Sequence, residues 1–422
     1  AHIFRSVLKV MTFSNFNLEK TYQFLLITLA FLMPITVFGG NLIIVLIVLL
    51  WFVSGDYKDK FNLIIQNKLL LASIIFFTLH IVGLLWTNDL KWGIHIVHKM
   101  WYFLLLFPIL FTIVIKKNIP KYIASFLLAI SITEILSYSV WFEIIKPFKN
   151  ATIFDPTPFM SHISYNPILA FAIYLVLHRL IIQRDLVKLQ LFLYSFFALS
   201  MTINMFITGG RAGHVAYFVI LGIIVFQYFC LNKIKALFIL MTLIPIIFFS
   251  AYQFSPLFKY RVDAGVENIT NYSEHMLIGT NTSVGSRFTF AINSWEIIKN
   301  NPFIGVGTGD FPEEYKKINM ANTPHMNNAK NPHNMYILVL VQLGFIGLIS
   351  LLSIFYYQLK IAFNSKNIFF RNVGTALPIM FLVINLSDSY LLGHFTTLMY
   401  IFFSSFLYRD FENSMNLSLI HI

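Results

Sequence analysis

The chain has 422 residues, of which 58% are hydrophobic and 11% charged, and its mean hydropathy is +0.74; these values exclude an ordinary soluble domain and describe an integral membrane protein. Its apolar runs are long enough for helices, whereas barrel strands would alternate over about ten residues, so the expected fold class is all-α and polytopic. The net charge of +12 is read as topology and attraction to anionic membrane lipids, with no nucleic-acid partner, and the single Cys230 leaves no intramolecular disulfide and no cysteine-based zinc site.

The hydropathy pattern predicts about twelve transmembrane helices. They fall at 21–37, 41–55, 69–86, 99–115, 121–141, 165–182, 189–207, 212–231, 236–252, 334–358, 373–387 and 391–408. The first apolar run is followed almost at once by a second and lacks a small-residue cleavage site, so it reads as an uncleaved span. No internal repeat, low-complexity tract or soluble domain interrupts the pattern. The organisation expected is one transmembrane domain, 1–422, with a cap loop at 252–332 between spans nine and ten.

Basic residues orient this bundle. One set of alternate loops holds Arg5, Lys9 and Lys20; Lys58, Lys60 and Lys68; Lys116, Lys117 and Lys121; Arg179, Arg184 and Lys188; Lys233 and Lys235; Lys360, Lys366 and Arg371; and Arg409. The opposite short loops hold only Lys91, Lys99, Lys146, Lys149 and Arg211. The positive-inside rule then predicts cytoplasmic termini and an outward-facing cap.

Within the cap, Phe288, Ala291, Ile292, Trp295 and Ile298 recur at helical spacing, predicting an amphipathic helix from near Ser286 to Asn300-Asn301-Pro302, with Arg287 in its first turn. The run Gly305-Val306-Gly307-Thr308-Gly309 lacks the strand context and the lysine of a nucleotide loop, and reads as a tight turn towards the membrane. Asp310 with Glu313 forms a capping-box pattern for a second helix. Ala321 to Lys330 is polar and reads as a loop.

Three groups carry complementary chemistry at the same membrane edge. Arg211 stands at the outer start of span eight, where Thr208 or a neighbouring glycine would cap and the free N–H groups beside a guanidinium would make an anion site. Arg287 adds a second cation. His333 stands at the outer start of span ten, with Asn331 as the expected cap and Pro332 as the first helical residue, and the positive helix end would disfavour its imidazolium form. Singly, an arginine at a membrane edge is usually an interfacial anchor, and a histidine after a proline can be a simple cap; together, near a cap able to exclude water, the three suggest a site.

Asp388, in the outer turn between spans eleven and twelve, is a candidate to orient His333 or bind substrate. Glu134 is the acidic residue well inside a span and should have a buried partner or a role. His162, Tyr165 and Asn166 begin span six on the outer side and would line a sugar site. His95 and His98 form only an H-x-x-H pair and read as interfacial, and His325 reads as solvent-exposed.

The order of these motifs resembles the O-antigen ligase and polymerase superfamily, membrane glycosyltransferases of the GT-C class. The resemblance rests on Gly210-Arg211-Ala212-Gly213, on Gly285-Ser286-Arg287 through Trp295, on Asn300-Asn301-Pro302-Phe303-Ile304-Gly305-Val306-Gly307, and on Pro332-His333-Asn334 through Gly344-Phe345-Ile346-Gly347. It implies a donor glycan on undecaprenyl diphosphate, a lipid A core acceptor for a ligase, an inner-membrane location with a periplasmic active site, and an inverting reaction without metal or other cofactor. Carried onto this chain, it makes Arg211 and Arg287 the groups that hold the donor diphosphate, His333 the base for the acceptor hydroxyl, and Asn334 part of the substrate-binding motif. Gly210 and Ala212 replace the more usual neighbours of the first arginine. An O-antigen polymerase and a protein O-oligosaccharyltransferase would share this donor chemistry; a polytopic transporter is the alternative from another class.

Overall fold

The structure, a computed structural model, describes residues 17–183, 185–274, 282 and 284–411. Arg5, Lys9 and Arg184 of the topology reading lie outside the described residues. Among those described, every regular element is helical. The first half comprises α1 (Leu18–Leu32), α2 (Val37–Val53), α3 (Tyr57–Gln66), α4 (Lys68–Val82), α5 (Leu90–Trp101), α6 (Phe107–Ile113), α7 (Ile119–Trp141) and α8 (His162–Ile181). Then follow α9 (Lys188–Ile207), α10 (Arg211–Tyr228), α11 (Lys233–Phe254), α12 (Pro256–Glu274), α13 (Gly285–Asn300), α14 (Phe311–Asn322), α15 (Met335–Asn364), α16 (Ile368–Ile384) and α17 (His394–Leu407).

A helix stands at each predicted apolar run, but the span count is lower than the expected twelve. Eight described helices are long and apolar enough to cross a membrane, or nine when α2 and α3, bent 115° apart, count as one span. The first, eleventh and twelfth predicted spans are helices of 15, 17 and 14 residues, short of the roughly 20 residues a straight crossing needs. Packing explains the last of these: Thr396 through Leu407 are all buried, so α17 is surrounded by protein and has no lipid thickness to match. A helix apolar on every side belongs in such a position.

The closest helix pairing joins α8 to α10. Gly213 lies so near Asn166 that a Cβ there would meet the Asn166 Cβ at 2.0 Å. Small residues at a crossing let membrane helices approach closely, and this contact fixes the start of α10 against the start of α8.

Among the described residues, the polar segment between α11 and α15 contains three helices. The amphipathic helix appears as α13 and Arg287 is in its first turn. Its orientation differs from a simple reading of the stripe: Phe288, Ile292 and Trp295 are exposed, whereas Thr289, Asn293 and Ser294 are buried with Ile297 and Ile298. Asn293 Nδ2 donates to Thr323 Oγ1 at 2.8 Å, so the inward face is held by hydrogen bonds. Where the surroundings of a helix are themselves apolar, as beside lipid, an apolar stripe does not identify the core side. Helix α12 was not anticipated, because its mixed sequence shows neither a long apolar run nor a clear stripe.

The glycine-rich turn returns the chain to the membrane helices by main-chain hydrogen bonds. Gly344 (φ 61, ψ −158) breaks α15, and the amides of Val306 and Gly307 donate to the carbonyls of Val341 and Gln342 at 2.9 and 3.0 Å. In return the amides of Phe345 and Ile346 donate to the carbonyls of Pro302 and Phe303 at 2.8 and 3.2 Å. Backbone groups freed by the break are thereby satisfied within the protein, as an interrupted membrane helix requires. Gly305 (φ +69) and Gly344 are both needed there: a Cβ on either would sit within 2.4 Å of facing backbone atoms.

Asp310 does not build the expected capping box. It precedes α14, but its side chain makes no cap hydrogen bond. Instead its buried carboxylate accepts from Thr87 Oγ1 at 2.6 Å, from the Asn88 amide at 2.8 Å and from the Asp89 amide at 2.8 Å. With Asn88 Nδ2 at 3.2 Å, four donors on the turn between α4 and α5 outcompete one helix terminus, and Asp310 becomes a clasp between the inserted segment and the bundle.

Candidate active site

His333 lies just before α15. Asn334, not Asn331, is the N-cap, its Oδ1 accepting from the amides of Tyr336 and Ile337 at 2.9 and 3.1 Å. Pro332 is therefore outside the helix, and the expected Asn331 and Pro332 cap arrangement is corrected. Asn331 Oδ1 accepts from the His333 amide at 2.8 Å and from Ser389 Oγ at 3.0 Å. These bonds hold His333 at φ 51, a left-handed backbone uncommon outside glycine. Such strain persists where neighbouring bonds over-determine it.

The ring is oriented from the α16 to α17 connection. His333 Nδ1 and Asp388 Oδ1 are 3.2 Å apart, and the ring stacks on Phe290 of α13 at 6.1 Å between centroids. An ionised Asp388 only accepts, so Nδ1 carries the proton and Nε2 is left as the acceptor. Burial by itself would raise the Asp388 carboxyl, but the hydrogen bond and charge of His333, the Ser389 amide and the charge of Arg287 together hold it below its ordinary value. Ser389 N donates to the same Oδ1 at 2.7 Å.

Arg287 joins the two halves of the site. Its Nε donates to the Ser387 carbonyl at 3.3 Å, next to Asp388, and its charge is felt at Arg211. Arg211 is the first residue of α10, after Gly210 as N-cap with no side-chain cap bond; Thr208, the other expected cap, instead donates to Asn166 Oδ1 at 2.8 Å. Two guanidinium nitrogens of Arg211, Nε and Nη1, are buried without a hydrogen-bond partner. A buried, unpaired guanidinium beside like charges is costly, and a bound anion is the species that would satisfy it.

A third arginine was missed in the sequence. Arg261 of α12 lies against Gly209, where a Cβ would meet its Nη2 at 2.9 Å, and its charge also bears on Arg211. Its Nε too is buried without a partner. No motif surrounds Arg261, and only the docking of α12 brings it to the start of α10.

The remaining candidates separate into near and far. His162 begins α8, pairs through Nδ1 with Asp155, and its carbonyl faces Gly210; Asp155 Oδ1 also accepts from the Gly209 amide at 3.2 Å. Asn166 packs on Gly210 and Gly213 beside it. Asn334 fixes the turn after His333, with Nδ2 donating to the Leu386 carbonyl at 3.0 Å. Glu134 lies elsewhere: it is buried in α7 and accepts from Ser200 Oγ of α9, two turns and about 12 Å along that helix from Thr208. It has the buried partner its position demanded, within a polar layer that includes the 2.8 Å bond from Tyr165 to Asn204. His95 stacks on Trp92 at 4.8 Å, and His325 is exposed.

Residues 196–352 match the family described as O-antigen ligase. This match covers α10, the inserted segment and the first part of α15, with Arg211, Arg261, Arg287 and His333 inside it. An uncharacterized protein of Haemophilus influenzae is 27% identical over 313 residues, which are 70% of this chain and 73% of that relative. Over residues 196–352 the chain is therefore similar to the O-antigen ligase family.

Proposed function

We propose that the protein is an O-antigen ligase, moving a glycan from undecaprenyl diphosphate to a lipid A core sugar at the periplasmic face of the bacterial inner membrane. The observation that carries this reading is the pairing of His333 with Asp388, with Arg287 bonded to the carbonyl of the adjacent Ser387. His333 Nε2 removes the proton of the acceptor hydroxyl as its oxygen attacks the anomeric carbon. The bond from that carbon to the diphosphate oxygen breaks, its electron pair leaves with the diphosphate, and the anomeric configuration inverts. Asp388 stabilises the imidazolium that forms. Arg211, Arg261 and Arg287 stabilise the departing anion; fixed guanidinium charges do this without a metal ion, and no metal is assigned to the site.

His162, beside Gly210, and Asn334, next to His333, are assigned to positioning the sugar, and the fully buried Asn166 to holding the start of α10. Glu134 has no part in this scheme. An O-antigen polymerase would use the same donor and base, with a second lipid-linked glycan as acceptor.

The test reconstitutes the full chain with labelled undecaprenyl-diphosphate glycan and offers either lipid A core or unlabelled donor. Extension of the core, unaffected by a chelator and absent in His333→Ala, supports the ligase reading. Extension of the second donor alone assigns a polymerase. Movement across the bilayer without bond cleavage would replace both with transport.

A further inference from the structure

At the far end of α15, 30 residues and roughly 45 Å from His333, a second basic site is built from segments distant in sequence. Lys68 at the start of α4, Lys116 before α7, Lys360 and Lys366 around the end of α15, and Arg409 after α17 line one cavity of about 520 Å³. Asp410 is the one carboxylate among its described lining residues. Arg409 is fixed in place, Nη1 donating to the carbonyls of Phe111 and Val114 at 2.8 and 2.7 Å, while its Nε is buried without a partner.

Lysines at a membrane edge ordinarily report only topology. Two features go further here. The five cations converge on one concavity with a single carboxylate, Asp410, so an excess of positive charge remains there to attract an anion. The cavity also continues into a groove of about 580 Å³, sharing Lys116, Asn367 and Phe370 with it. That groove is walled by Ile119, Ile123, Leu127, Leu175 and Phe369. A polar basin opening onto an apolar trough of this kind fits a phosphate headgroup and its acyl chain.

We infer that this cavity and groove form a binding site for a phosphate-bearing anionic phospholipid, separate from the transfer site. Lys68, Lys116, Lys360, Lys366 and Arg409 take the phosphates, and the α7, α8 and α16 wall takes a chain. The inference stands whether or not the transfer reading holds, since no residue is shared with the His333 site.

Native mass spectrometry of the full chain in detergent, titrated with diphosphatidylglycerol, phosphatidylcholine or inorganic phosphate, tests it. Diphosphatidylglycerol should be retained at least tenfold more tightly than phosphatidylcholine, and the double variant Lys360→Gln, Lys366→Gln should lose at least tenfold. Lys58→Gln with Lys117→Gln, outside the lining, should leave retention unchanged, and Ala124→Trp, which fills the groove, should weaken it. Equal retention of phosphatidylcholine, or an equal loss in the control variant, would overturn the site. Displacement of the lipid by inorganic phosphate at comparable concentration would overturn the lipid assignment in favour of a free phosphate.

Discussion

Arg261 lies across Gly209, with its Nη2 2.9 Å from where a Cβ would stand on that glycine. The missing side chain thus makes room for a guanidinium at the entrance to α10, two residues before Arg211. Since the atom in the way is the end of a flexible side chain, Gly209→Ala should displace Arg261 with little loss of fold. We expect Gly209→Ala and Arg261→Ala to weaken donor engagement alike, by about tenfold, one lost charge-assisted contact being worth about 1.5 kcal/mol or more. Steady-state transfer against donor concentration, beside thermal unfolding, checks this; unchanged donor dependence in both variants would remove Arg261 from the site.

His333→Ala should lower transfer by about 10²- to 10⁴-fold, the contribution typical of a positioned base. Donor binding should survive, because the guanidinium groups remain. Single-turnover rates and donor binding measured separately distinguish the two, and a variant with wild-type turnover would end the base assignment.

Asp388→Asn and Asp388→Ala should differ. Asparagine Oδ1 can still accept from His333 and from the Ser389 amide, so this variant loses the charge and keeps the orientation; we expect a drop of about 10²-fold. Alanine loses both and should fall about tenfold further. In the folded protein the Asp388 carboxyl is held below its ordinary value. Its contribution to stability is then complete above the unfolded value, about 3.9, and is lost as pH falls through the lower folded one. Thermal stability followed below about pH 4 should therefore decline less steeply in Asp388→Asn than in the wild type.

Asp310→Ala leaves the amides of Asn88 and Asp89 without their carboxylate acceptor and should destabilise the protein by about 1–3 kcal/mol. Limited proteolysis should then cut first within residues 285–330, whose docking depends on that clasp. An unaltered cleavage pattern and melting temperature would show that the clasp contributes nothing.

Composition and apolar run length were enough to specify a helical membrane bundle, because the requirement to bury backbone polar groups in lipid admits few solutions. Arg211, Arg287 and His333 stand out in the sequence for a related reason: the short loops opposite the lysine-rich ones hold few cations, and these three residues lie in recognisable local motifs. What the tertiary structure decided concerns partners. It showed that Asp388 meets His333 55 residues away, that Arg261 joins Arg211, that Asp310 clasps a distant turn, and that Glu134 is taken up by Ser200. It also turned the apolar stripe of α13 outward and buried the short α17 on all sides. Periodicity reports that a segment has two unlike faces, but which face lies inward depends on what surrounds it, and beside lipid both choices satisfy the sequence until the rest of the chain has packed.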